Sequence, residues 1–237
     1  MAARDEDEMA YRERYWSGIV GLLHMAQCVR PDIAAPVGAL AAYNSAPSAA
    51  HYTAMLDIIR CVASTAEHSL TYGRPKVPLQ IWCHANFAAC TDTRRSVSGW
   101  VVVYFGGAIS WESCKQPTAA ASTMDAEYQA CGAATREALS LRKLLREVSM
   151  LCRVLWPGEA TVILRDTKAA VSLSLDRKET KRAKHIDIVH HFARDHVASG
   201  DVRFVYCKSE DNVSDRLTKA LSRSLFETGL KGLGMLR

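Results

Sequence analysis

Residues 79–111 read LQIWCHANFAACTDTRRSVSGWVVVYFGGAISW, and how this stretch folds decides the class of the whole chain. Leu79, Ile81 and Cys83 alternate along one face of a short strand expected over 79–84, the two-residue period of a sheet with one side buried. A loop rich in Thr, Ser and Arg follows. Two further strands are expected over 98–105 and 108–114, with Gly106 and Gly107 as the hairpin signal between them. A hydrolase that holds metal ions at a strand end needs a carboxylate as the next polar residue after such a strand. Here that residue is His84, and Asn86 takes the next alternate position.

On the N-terminal side the period is helical. Ile19, Leu22, Leu23 and Ala26 recur at three-and-four spacing, and RPDIAAPVGAL restarts a helix with Pro31 and Asp32 in its first turn. A third helix, AAHYTAMLDIIRCVAST, is expected to turn Tyr52, Met55, Leu56, Ile59 and Val62 inward. It ends before GRPKVP, where two prolines and a glycine mark a linker.

On the C-terminal side a long helix runs through STMDAEYQACGAATREALSLRKLLREV. Ser122 or Thr123 caps its free N–H groups and Asp125 lies in its first turn. ATVILRD is a buried strand running into Asp166, TKAAVSLSL a short helix, AKHIDIVHHFARDHVAS another helix, DVRFVYC a fifth strand and DNVSDRLTKAL a terminal helix. The order β-β-β-α-β-α-α-β-α predicts an α/β fold, a mixed five-stranded sheet flanked by helices and preceded by a small helical segment. The division expected is 1–73 helical, 74–78 linker, 79–221 the α/β domain and 222–237 a C-terminal tail.

With 237 residues and 49% hydrophobic content the chain can bury a substantial core. Its net charge of +5 permits an anionic partner and is equally consistent with ordinary solubility. The eight cysteines include no C-x-x-C pair, which suits the reduced thiols of cytosol or nucleus better than a disulfide frame. A zinc site built from Cys83, His84 and Cys90 matches no common ligand spacing. MAARDEDEMAYRER lacks the apolar core of a signal peptide, and the longest apolar runs are too short to span a membrane. A soluble intracellular protein with no membrane partner is expected.

Three acids occupy places from which they can converge: Glu127 on the long helix, Asp166 at the end of the fourth strand and Asp215 in the final helix. Each alone would ordinarily be a solvated charge. Together they suit metal-assisted phosphodiester hydrolysis, in which two divalent ions roughly 4 Å apart activate the water and stabilise the leaving oxygen.

At this point the chain resembles the C-terminal part of a copia-type LTR retrotransposon Pol polyprotein, from the late reverse transcriptase through the ribonuclease H domain. The likeness is carried by YWSGIVGLLHMAQCVRPDIAAPVGAL, TDTRRSVSGW, GGAISWESCKQPTAAASTMDAEYQA, RDTKAAV, KHIDIVHHFARDHV and VSDRLTKAL, in that order. It implies a ribonuclease H-like domain behind a helical remnant of the reverse transcriptase thumb or connection. It also implies cleavage of RNA in RNA–DNA hybrids with magnesium, manganese being the alternative. Glu127, Asp166 and Asp215 carry over as catalytic carboxylates and metal ligands. The family's first acid belongs to a Ser-Asp-Ala-Asp segment that aligns with CHAN, so His84 stands at the first catalytic position and Asn86 at the nearby second acid. Many ribonucleases H also use a mobile histidine before the last aspartate, and CKSEDNVS has none. The polymerase palm is not represented, so DNA synthesis is not expected.

A carboxylate shared by two dications contributes about 4 kcal/mol per unit-charge pair at roughly 4 Å in an effective dielectric of about 20. Neutral imidazole offers one nitrogen to one ion and suits zinc or manganese better than magnesium. Weakened metal binding and impaired cleavage are therefore expected. The rival readings are a non-catalytic nucleic-acid-binding module co-opted from a retrotransposon and an unselected relic.

Recognition of a hybrid requires phosphate contacts on both strands and 2′-hydroxyl contacts across a wide minor groove. Arg94 and Arg95 after the first strand, and Lys181, Arg182, Lys184 and His185 in DRKETKRAKH, are the candidates. The second run reads equally as a solvated linker of mixed charge. Arg142, Lys143 and Arg146 are expected on an exposed helix face, and Trp82, Phe87, Trp100 and Trp111 mostly in the core.

Overall fold

A computed structural model describes residues 2–73, 78–152, 158–167 and 184–236. The helix expected in TKAAVSLSL falls outside the described residues from position 168 onward.

Three helices open the chain: α1 (Ala2–Cys28), α2 (Ala34–Ala41) and α3 (Ala49–Ser64). Tyr15, Ile19, Leu22 and Ala26, spaced by three and four, form the buried stripe of α1 and pack with Ile33, Val37 and Met55. On α3 the stripe follows Met55, Ile58 and Val62, which leaves Ile59 40% exposed rather than inward. Arg30 and Asp32 form a buried two-pronged pair at 2.9 and 2.8 Å, and Arg30 also donates to Thr65 beyond the end of α3.

The short strand β1 (Ser69–Leu70) precedes the sheet strands β2 (Gln80–Asn86), β3 (Val97–Tyr104), β4 (Gly107–Lys115), β5 (Thr161–Arg165) and β6 (Val202–Tyr206). Their order is β4-β3-β2-β5-β6, with β2, β3 and β4 antiparallel and β5 and β6 parallel to β2. This is the mixed five-stranded sheet expected from the alternation. Phe105 and Gly106, with φ of 52° and 86°, form the two-residue turn between β3 and β4, and Gly107 opens β4.

One face of the sheet is covered by α4 (Thr123–Cys152) and α5 (Lys184–Ala198), with Leu79, Ile81, Cys83, Trp100 and Val102 meeting Cys131, Ala134 and Ala138 of α4. Ser122 caps α4, its Oγ accepting from the Asp125 N–H, while the Asp125 carboxylate accepts from Ala121. The other face carries Val101, Val103 and Ala108, packed against Val213, Leu217, Leu230, Leu233 and Met235. These last residues belong to a 3₁₀ turn (Val213–Leu217), α6 (Arg223–Gly232) and β7 (Met235–Leu236), and β7 pairs antiparallel with β1.

DNVSDRLTKAL is thus not an α-helix. Asn212 Oδ1 accepts from both the N–H and the hydroxyl of Ser214, which holds the segment in a tight turn as Val213 and Leu217 enter the core. Arg142 is not on an exposed face either. It is 7% exposed, donates to the Glu159 carbonyl and to Thr161 Oγ1, and so ties α4 to the start of β5. Trp100 is buried as expected, whereas Phe87 lies past the end of β2 and is 40% exposed. Among the described residues no helix is long and apolar enough to cross a membrane.

Candidate functional site

β2 pairs with β5 only as far as Trp82 and Leu164. Beyond that point the two strands part, and the acids gather in the gap. Glu127, one turn into α4, reaches the opened edge and its Oε1 accepts the Ala85 N–H at 3.0 Å. Asp166 follows directly on β5, and its Oδ2 accepts from Ser209 at 2.7 Å. Asp215 sits in the 3₁₀ turn behind β2, 5% exposed, with Lys219 Nζ 2.7 Å from its Oδ2. The structure therefore brings together all three acids singled out in the sequence.

Between them lies His84. Its Nδ1 is 3.1 Å from Glu127 Oε1 and 3.5 Å from Asp166 Oδ1, and its Nε2 is 3.7 Å from Asp215 Oδ1. A neutral imidazole always keeps one nitrogen as a lone-pair acceptor, which would repel a carboxylate. A ring with carboxylates at both nitrogens is therefore suited to the doubly protonated cation. Burial alone would depress its pKa, but the Asp166 and Glu127 carboxylates close to Nδ1 and the charge of Asp215 raise it to about 9. For Asp166 burial pushes upward, and the nearby His84 ring and the Ser209 hydrogen bond outweigh it, holding the carboxyl well below the usual range.

Two further cations complete the site. Arg165 is 1% exposed, with Nη2 at 3.5 Å from Glu127 Oε2. Lys219 holds Asp215. Three carboxylates thus face one imidazole, one guanidinium and one ammonium. Neither Arg165 nor Lys219 was apparent as a site residue in the sequence. The available signal was a charged residue at an inward position of β5, in line with buried Thr161 and Ile163, and a lysine four residues after Asp215.

The donor set suits one divalent ion better than a bridged pair. Ligand atoms of His84, Asp166 and Asp215 lie within 4.8 Å of one another, close enough to share an ion if the imidazole is neutral. A pair of hard cations needs an oxygen between them, and the central position holds a ring with no bridging atom. Buried His84 Nδ1, Arg165 Nη2, Glu127 Oε2 and Asp215 Oδ1 make no directed hydrogen bond, so the imidazole and guanidinium meet these acids through charge.

Arg94 and Arg95 are exposed in the loop that leaves the His84 end of β2, a loop closed by Cys90 N–H to Arg95 O and Arg94 N–H to Cys90 O. Lys181 and Arg182 lie outside the described residues. Lys184 and His185 open α5, and their side chains also lie outside what is described. Asn86 donates to the Thr218 carbonyl at 3.2 Å, an engagement a carboxylate would not make.

No protein-family profile matches the chain. It is 31% identical over 221 residues to the retrovirus-related Pol polyprotein from transposon TNT 1-94 of Nicotiana tabacum, covering 93% of this chain and 16% of that protein. It is 32% identical over 223 residues to the corresponding polyprotein from transposon RE1 of Arabidopsis thaliana, covering 94% of this chain and 15% of that protein. The chain thus spans about a sixth of the length of these relatives. Among solved structures, ribonuclease H1 of the archaeon Halobacterium salinarum NRC-1 superposes with a TM-score of 0.44 at 16% identity, over 60% of this chain and 95% of that one.

Proposed function

Because this chain belongs to the copia-type retrovirus-related Pol polyproteins, we propose that its ribonuclease H-like domain holds RNA–DNA hybrid and cleaves the RNA strand poorly. The observation that carries this reading is the His84 ring, set 3.1 to 3.7 Å from Glu127, Asp166 and Asp215 where a metal-bridging carboxylate would serve. On this reading the setting is intracellular and the partner is a nucleic acid. The helical segment over 1–73 is read as a remnant of reverse transcriptase.

The chemistry follows from charge. Arg165 and Lys219 stand at two of the acids, Glu127 and Asp215. With His84 protonated, the three acids are balanced inside the chain, and a divalent ion must displace an internal cation to enter. His84, Asp166 and Asp215 would hold a single ion, manganese in preference to magnesium. Such an ion, when bound, supplies Lewis-acid activation of water. Glu127 is kept from it by the Ala85 N–H and Arg165. Arg94 and Arg95, exposed on the adjoining loop, would follow phosphates.

Hydrolysis of a labelled hybrid, in magnesium and then in manganese, tests this reading against the His84→Asp variant. The expected result is a variant on the order of 100-fold or more faster in magnesium, since about 4 kcal/mol per charge pair is at stake. Equal rates would show that the imidazole costs nothing and end the reading. The non-catalytic alternative draws on the same charge balance: a site neutral without metal can scaffold binding. In that case hybrid affinity survives both chelator and Glu127→Gln, with cleavage absent from native protein.

A further inference from the structure

Directly beneath the acid site, and unused by it, two thiols meet. Cys83 of β2 and Cys131 of α4 are 0% and 2% exposed, and their sulfurs stand 3.6 Å apart. Cys83 precedes His84, and Cys131 lies one helical turn beyond Glu127, so the pair joins the two elements that carry the site. We infer that Cys83 and Cys131 are a modification site, a dithiol that a hydroperoxide closes into a disulfide stapling β2 to α4.

The two sulfurs already stand in contact at 3.6 Å, the separation from which closure starts. A disulfide needs sulfurs about 2.05 Å apart, so the two must approach by roughly 1.5 Å, which rotation about the side-chain bonds can supply. The pair lies in an apolar cluster in which Ala134 and Ala138 of α4 stand beside Ile81, Trp100 and Ile163 of the sheet. Cys28 and Cys61 are exposed and Cys90, Cys114 and Cys207 half-buried, and none of the five belongs to this core cluster.

The chemistry runs in two steps. The Cys131 sulfur attacks one peroxide oxygen, the O–O bond breaks, and the sulfur becomes a sulfenic acid as the other oxygen leaves and takes a proton to form water. The Cys83 sulfur then attacks the sulfenic sulfur, the S–O bond breaks, and the hydroxyl leaves with the second proton as water. Two thiols and one hydrogen peroxide thus give one disulfide and two waters. Burial makes the reaction slow, limited by transient opening of the core rather than by the reactivity of the sulfur. The crosslink then closes a loop between residues 48 apart in sequence, which restricts the unfolded chain. This staple concerns the scaffold, and it stands or falls independently of whether His84 permits hydrolysis.

The test treats the full chain with millimolar hydrogen peroxide, blocks remaining thiols and maps peptides without reduction. A crosslinked peptide pair containing Cys83 and Cys131, two hydrogens lighter than the sum, is expected within hours. Thermal unfolding should rise by about 5–10 °C and return on reduction with dithiothreitol. Cys131→Ser should show no such rise after peroxide. Cys83 and Cys131 recovered as free thiols, as sulfinic acids or in crosslinks to other cysteines would each overturn the inference, whatever happens at exposed Cys28 and Cys61. Because the mapping is done on the unaltered chain, poor folding of the serine variant would not rescue or sink the result.

Discussion

His84 faces a carboxylate from each of its two ring nitrogens, and that single fact gives the molecule a pH signature. Its folded-state pKa is raised from 6.5 to about 9 by the surrounding carboxylates, which outweigh burial. A raised pKa means that the folded state holds the proton more tightly than the unfolded one. The resulting stability is complete below about 6.5 and is lost as pH climbs through about 9. Asp166 has the opposite sign: its carboxyl is depressed, so its contribution is present above 3.8 and disappears as pH falls further. In buffer with a chelator, urea unfolding should therefore show a plateau near neutrality and a loss on the order of 2 kcal/mol between roughly pH 7 and pH 10. His84→Gln should flatten the alkaline limb and also weaken the acid limb, since Asp166 then keeps its Ser209 hydrogen bond but loses the imidazolium beside it. An alkaline loss of the same size in the glutamine variant would mean that another group titrates.

At the scale of elements, the site depends on how closely a strand and a turn approach. Gly99 of β3 sits opposite His84 in the ladder, and a Cβ there would fall 2.7 Å from both Leu217 Cβ and Thr218 Cγ2. The 3₁₀ turn bearing Asp215 can rest on the sheet only because that side chain is missing. Gly99→Ala should push the turn outward and cost about 1–3 kcal/mol, read as a lower urea midpoint. Gly21→Ala on α1 is the control, since nothing lies within 4 Å of its Cβ and a helix-interior alanine is favoured. If both substitutions behaved alike, the close approach would be irrelevant to stability. The same elements show what the sequence could reveal. The alternation of Leu79, Ile81 and Cys83 announced β2, and the run into Asp166 announced β5, because burial of one face imposes a period. The turn around Asp215 was disguised, since what forbids a helix there is the side chain of Asn212 together with a close-packed sheet, neither of which has a period. Arg142 and Arg165 were hidden for a related reason. A charged side chain is assigned to solvent until tertiary contacts supply its partners, here the Glu159 carbonyl and Thr161 for one and Glu127 for the other.

Across the whole molecule, the C-terminal segment closes the structure. β7 pairs with β1, which directly follows the helical segment, while α6 and its neighbours supply Leu230, Leu233 and Met235 to the second core at 7%, 0% and 3% exposure. Trp111 makes a second tie, its indole N–H donating to the Ala26 carbonyl at the end of α1. Residues 222–237 read as a tail in the sequence. A chain ending at 221 decides how much they matter. It gives up three buried apolar side chains, worth about 1.5–3 kcal/mol each, and the β1–β7 pairing. It also strips Arg216, 4% exposed, of the Leu225 and Phe226 carbonyls that accept its guanidinium, next to Asp215. Set against a typical domain stability of about 5–15 kcal/mol, that loss is enough to abolish cooperative unfolding or to lower the midpoint by 15 °C or so. Circular dichroism melting of the two lengths measures it. A truncated chain melting within a few degrees of the full one would make α6 and β7 an appendage, and the acid site would then owe its geometry to the sheet and α4 alone.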